Sequence, residues 1–207
     1  MSFFSDLFSN DKSKFKRDAK NLTPYLQGLQ KDWVPIDSDE IESIALKIIF
    51  DRNKRFGFTS YRIGHINTIF HEHVATFGLR KYGDQRGIIV AQTNPYIYTF
   101  LVRPKYTEVQ INYKRLAFIL ADGTLKNSSG RKIIGEIDTR DVDHPEVIIG
   151  DNNFGILNRA TTSVGPQTRA IHMMRPMPEG VQELFFSVVM LYIISNQSEL
   201  KGLADLV

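Results

Sequence analysis

Hydrophobic positions follow three different rhythms along the chain. At the N-terminus Phe3, Phe4, Leu7 and Phe8 recur at the i, i+1, i+4, i+5 spacing of one helical face, followed by Lys12, Lys14, Lys16, Arg17 and Lys20 against Asp11 and Asp18. A second short helix is predicted over 22–32 with Pro24 near its start. Pro35 then biases Val34 away from helical backbone and marks an extended connector over 31–37.

From residue 41 to 173 the rhythm shortens to runs of β-formers between turn residues. Candidate strands are 43–51, 56–63, 65–79, 87–92, 96–103, 107–113, 116–121, 132–138, 147–149, 154–159 and 169–173. Alternation is clearest from Tyr96 to Val102 and from Thr107 to Tyr113, where every second residue faces a core and the others a wetter side. Asn94-Pro95, Asp122-Gly123, the stretch from Gly123 to Lys132 and Gly150-Asp151 supply hairpin turns. So many short strands without intervening helices predict an antiparallel meander that closes as a barrel or stacks as a sandwich.

The last rhythm is saturation. Over 181–195, opened by Pro178 and Glu179, the body Leu184 to Ile194 is apolar on every side apart from Ser187. Such a helix has to be surrounded by protein if it is not in lipid, and the run falls short of the roughly 20 residues that cross a bilayer. The expectation is a mainly β protein: an antiparallel closed or nearly closed barrel around a buried C-terminal helix. It divides into a helical arm and connector, residues 1–40, and one barrel-like domain, residues 41–207.

Composition changes this picture little. The 207 residues carry 26 basic and 23 acidic side chains, a net charge of +3 too balanced to mark a nucleic-acid binder. Without cysteine there is no disulfide, thiolate ligand or cysteine nucleophile. Met1 to Phe8 lacks the leading charge of a secretory signal, so the expected setting is cytoplasmic, or peripheral at a membrane.

The hairpin pattern Ala117-Phe118-Ile119-Leu120-Ala121-Asp122-Gly123, the runs Lys132 to Ile137, Val147-Ile148-Ile149 and Phe154-Gly155-Ile156-Leu157, and the apolar helix together resemble the tubby-like superfamily, which includes LURP-one-related proteins and phospholipid scramblases. The resemblance implies strands closing around the C-terminal helix, and anionic lipid as a ligand class. It transfers no ligand-binding residue.

Candidate chemistry is sparse. Basic residues gather at strand ends, among them Arg52, Lys54 and Arg55, then Arg103 and Lys105, then Lys114 and Arg115; if the strands alternate, some of these meet at one rim as a phosphate-holding surface. Phe3, Phe4, Leu7 and Phe8 would be the face that inserts into a membrane. His71 and His73, two apart on a strand, share a face and could ligate one metal ion. The acidic stretch from Glu136 to Glu146 lacks the glycine of a calcium loop, and no phosphate-binding glycine loop or nucleophile elbow occurs. The favoured reading is a non-enzymatic binding module for an anionic phospholipid or membrane surface, using no cofactor. A metal-dependent enzyme built on His71 and His73, and a scaffold that self-associates through its arm, are the alternatives.

Overall fold

The computed structural model describes residues 6–29, 33–35, 40–83, 85–141, 143–159, 168–178 and 180–198, with side chains from Ser13 onward except Arg52 and Ser198. The described residues begin in a helix, α1 (Asp6–Gln27), and among them a 3-10 turn (Ile41–Ser43) and twelve strands follow. These are β1 (Ile49–Phe56), β2 (Thr59–Asn67), β3 (His73–Gly83), β4 (Arg86–Gln92), β5 (Ile97–Arg103), β6 (Tyr106–Ile111), β7 (Lys114–Leu120), β8 (Thr124–Asn127), β9 (Ile133–Asp138), β10 (Glu146–Ile149), β11 (Asn152–Leu157) and β12 (Ile171–Met173). A second helix, α2 (Gln182–Ser198), ends the described chain.

Every strand pairs with its sequence neighbours, in the order β1 to β12, and every pairing is antiparallel. No ladder joins β1 to β12, so the sheet is not a closed barrel. The residues just before β1 approach both sides of the gap. Ala45 N–H donates to Asn67 O at 2.8 Å, while Leu46 N–H donates to Thr168 O and Ala170 N–H to Ile44 O, each at 2.7 Å.

The sheet's inner face and α2 form one hydrophobic cluster. Phe77, Phe100, Val109, Ile119, Leu125, Val147, Phe154 and Ile171 come from eight different strands, and helix residues 184 to 195 are buried without a break. A helix is about 10 Å across, and a curled sheet of many strands is wide enough to take one, where an eight-stranded barrel is filled by its own side chains. Saturation in the sequence thus becomes burial on all sides. Gln197 locks the far end of α2 to the chain before β1, accepting from Ile48 N–H at 3.0 Å and donating to Leu46 O.

Several sequence expectations change. The two N-terminal helices are one, because Pro24 falls in the last turn of α1, where Gly28 N–H closes the helix on Pro24 O at 3.1 Å. The expected long strand 65–79 is the end of β2, a turn, and most of β3; Thr68 Oγ1 accepts from the backbone of Phe70 and Glu72 and folds the chain back. The stretch from Gly123 to Lys132, read as a turn, contains β8, whose single buried residue Leu125 gives no periodic signal.

The helix α1 lies across the outside of the sheet. Phe15, Leu22 and Leu26, on one stripe, pack with Tyr61, Ile63, Ile88, Val90 and Ile97 in a second cluster. Gly78 permits the close approach: a Cβ there would stand 2.5 Å from Leu22 Cδ2. The wetter side expected of β5 is therefore dry where α1 covers it. The segment read as an arm apart from the domain is, over residues 13–29, part of its packing.

Candidate functional site

One buried carboxylate fixes α1 in place. Asp18, on the helix, has no exposed surface and accepts hydrogen bonds from Tyr61 Oη at 2.8 Å, from Arg80 Nη1 at 3.0 and 2.9 Å to its two oxygens, and from Tyr82 Oη. Arg17 Nε donates a further bond at 3.2 Å. Burial pushes the carboxyl up, but the bonds from Tyr82, Tyr61 and Arg17 and the charge of Arg80 outweigh it and hold Asp18 below the usual carboxylate range. Burial and the same carboxylate raise Tyr82 far above an ordinary phenol, so it stays a donor at every physiological pH.

Docked this way, the first half of α1 overhangs the outer face of β5, β6 and β7 and leaves a groove of about 550 Å³. Lys16 and Lys20 line it from the helix, Arg103 and Arg115 from the sheet, with Glu108 the one acidic side chain among them. Phe15, Leu101 and Tyr113 supply apolar wall. Glu108 is buried and accepts from Arg115 Nε at 2.9 Å and Gln110 Nε2 at 2.8 Å, with Arg103 Nη1 at 3.8 Å. Arg103 is held from two sides, its guanidinium 5.2 Å from the Phe15 ring centre and 5.1 Å from that of Tyr106. Arg115, its side chain 47% exposed, and the surface residues Lys16 and Lys20 remain accessible to an incoming anion.

The other predicted basic residues scatter. In an antiparallel meander the turns alternate between two edges of the sheet. Lys54 and Arg55 end β1 at the edge where Lys105 also lies, whereas Lys114 starts β7 at the opposite edge. Even along their shared edge, β1 and β5 are four strand spacings apart, about 19 Å. Lys54 leans over the Tyr25 ring at 4.9 Å. Of that set Arg103 and Arg115 come together in the groove, and the lysines they meet belong to α1. Phe3 and Phe4 lie outside the described residues, and so do the side chains of Leu7, Phe8 and Arg52.

The histidine pair is also rearranged. His71 sits exposed in the β2–β3 turn with φ 68°, so it shares no strand face with His73. His73 instead meets His65 of the neighbouring strand, Nε2 to Nδ1 at 3.0 Å. Thr76 Oγ1 stands 3.0 Å from His65 Nδ1 and 2.9 Å from His73 Nε2. Asp51 engages the other nitrogen of His65, and Trp33 stacks on His73 with ring centres 5.8 Å apart. Burial, helped by His65 and opposed by Asp51, lowers His73 to about 4. Among the described residues no three His, Cys, Asp or Glu side chains converge on one point.

A second cavity, about 260 Å³, opens at the start of α2 between Tyr96, Tyr98, Phe186 and the Asn94-Pro95 turn. Glu183 is its charged liner, which makes it unfit for an anion.

No known protein family, curated protein or solved structure matches the chain. Among the described residues no helix is long and apolar enough to cross a membrane.

Proposed function

We propose that the protein is a non-enzymatic binding module whose groove between α1 and β5–β7 takes the phosphate headgroup of an anionic phospholipid at a membrane surface. The observation that carries this reading is the groove's charge: Lys16, Lys20, Arg103 and Arg115 face one carboxylate, Glu108, in about 550 Å³ with an apolar wall beside them. Guanidinium and ammonium donors match phosphate oxygens, and the apolar wall suits the glycerol end of a lipid. On the same reading residues 44–46 complete the sheet as a cylinder around α2. That arrangement, with its twelve-strand meander and enclosed helix, supports the tubby-like resemblance.

The reading predicts co-sedimentation with phosphatidylserine vesicles at low salt. Each basic residue near such a surface contributes about 1 kcal/mol, so reversing Lys16 and Lys20 to Glu weakens binding at least about thirtyfold. Deleting residues 1–20 is a poorer test, because it removes Asp18 along with the lysines. Vesicles that leave the wild-type chain in the supernatant, or that bind the double reversal equally well, defeat the proposal. Light scattering on the same samples reports whether α1 mediates self-association instead.

A further inference from the structure

The cluster at the opposite end of α1's connector has a chemistry the groove does not use. His65 Nδ1, His73 Nε2 and Thr76 Oγ1 form a triangle with edges of 3.0, 2.9 and 3.0 Å. With Asp51 on its Nε2, a neutral His65 ring presents Nδ1 as a lone pair. In the Nδ1-protonated tautomer His73 presents Nε2 in the same way, so two ring lone pairs and the Thr76 hydroxyl oxygen can face one point.

Two further oxygen acceptors belong to residues paired with members of the triangle across the sheet. Gln92 stands directly across the β3–β4 ladder from Thr76, and Asn67 across the β2–β3 ladder from His73. Gln92 is 4% exposed; its amide nitrogen is spent on Thr93 O, and its Oε1 is buried without a hydrogen-bond partner. Asn67 Oδ1 is likewise buried and unsatisfied. An acceptor left dry in this way costs stability unless a donor or a cation meets it.

We propose that His65, His73 and Thr76 form a binding site for a divalent transition-metal ion of the zinc class, with Asp51 orienting His65 from behind. Tetrahedral bonds of about 2.0–2.1 Å put donors about 3.3 Å apart, so the triangle has to open by only a few tenths of an ångström. Imidazole nitrogens with neutral oxygens select borderline cations over calcium or magnesium, which take carboxylate-rich shells. The Asp51–His65 contact is the outer carboxylate that metal-bound histidines ordinarily carry, since it fixes the tautomer with Nδ1 free. The sequence pair His71 and His73 named half of this site and the wrong partner; His65 is found only through the β2–β3 register.

Trp33, the single tryptophan of the chain, reports on the site because it stacks on His73. Zinc chloride titrated into the full-length, metal-stripped protein is expected to change Trp33 emission and saturate at one equivalent, with equilibrium dialysis returning one zinc per chain. The His65→Gln, His73→Gln double variant loses both signals, His71→Gln keeps them, and Asp51→Asn binds 10- to 100-fold more weakly. Cobalt(II) added to the unmutated chain supplies a measurement independent of variant folding, a visible ligand-field band of nitrogen-ligated cobalt. Emission that does not respond, cobalt that keeps its aqueous spectrum, or one-equivalent zinc binding that survives in a folded double variant overturns the proposal.

Discussion

Asp18→Ala frees α1 from the sheet without unfolding the domain beneath it. The substitution strips Arg80, Tyr61 and Tyr82 of a shared, fully buried acceptor. Breaking a buried charge network by removing one member typically costs about 3–5 kcal/mol. The loss falls on α1, because α2 and the inner sheet face belong to a separate cluster. Trypsin is therefore expected to cut at Lys14, Lys16, Arg17 and Lys20 far faster in the variant, while the 41–198 fragment stays resistant. Unchanged cleavage would sink the assignment of Asp18 as the latch. Acid acts through the same group. The folded carboxyl titrates below its unfolded value, so its stabilisation is complete above about pH 4 and is lost as pH falls through the folded pKa. In Asp18→Asn that acid loosening of α1 is absent, and helix docking is already weak at neutral pH.

Tyr192→Asp abolishes folding altogether. Tyr192 is 6% exposed in the middle of α2, with Leu191 and Ile193 buried beside it. The change removes a core aromatic, a loss of about 3–5 kcal/mol, and buries a carboxylate, while Arg159, the cation whose charge reaches this side chain, is already paired with Asp143. Their sum matches or exceeds the roughly 5–15 kcal/mol that ordinarily holds a domain together. Phe58→Asp is the matched control, since Phe58 stands fully in solvent at the β1–β2 turn. It is expected to change stability by less than about 0.5 kcal/mol. Circular dichroism melts compare the two: a cooperative transition retained in Tyr192→Asp would show that α2 is not the centre of the core.

The contrast between these residues also explains what the sequence could express. Saturation from Leu184 to Ile194 allowed one physical solution, enclosure, and the strand alternation supplied the enclosing sheet. Turn residues marked most strand boundaries. What stayed hidden depends on pairing across the chain. Asp18 looked like one acid in a basic helix, because its donors Tyr61, Arg80 and Tyr82 lie on other elements. Leu125 alone could not announce β8. The groove joins lysines of α1 to Arg103 and Arg115, more than 80 positions later, and no local spacing relates them. His65 and His73 are eight apart, a separation without meaning until a hairpin register brings them together.

The placement of α2 has a consequence in time. The helix that fills the sheet follows all twelve described strands in the chain, so the inner face of each strand leaves the ribosome before the helix that packs against it. At roughly 5–20 residues per second, synthesis from β1 to the end of α2 takes about 10–30 seconds. Throughout that interval the nascent chain carries Phe77, Phe100, Phe154 and their neighbours as open, apolar, strand-forming surface. This order keeps the inner sheet face from closing until α2 has been made, and makes the unfinished chain a natural client for chaperones.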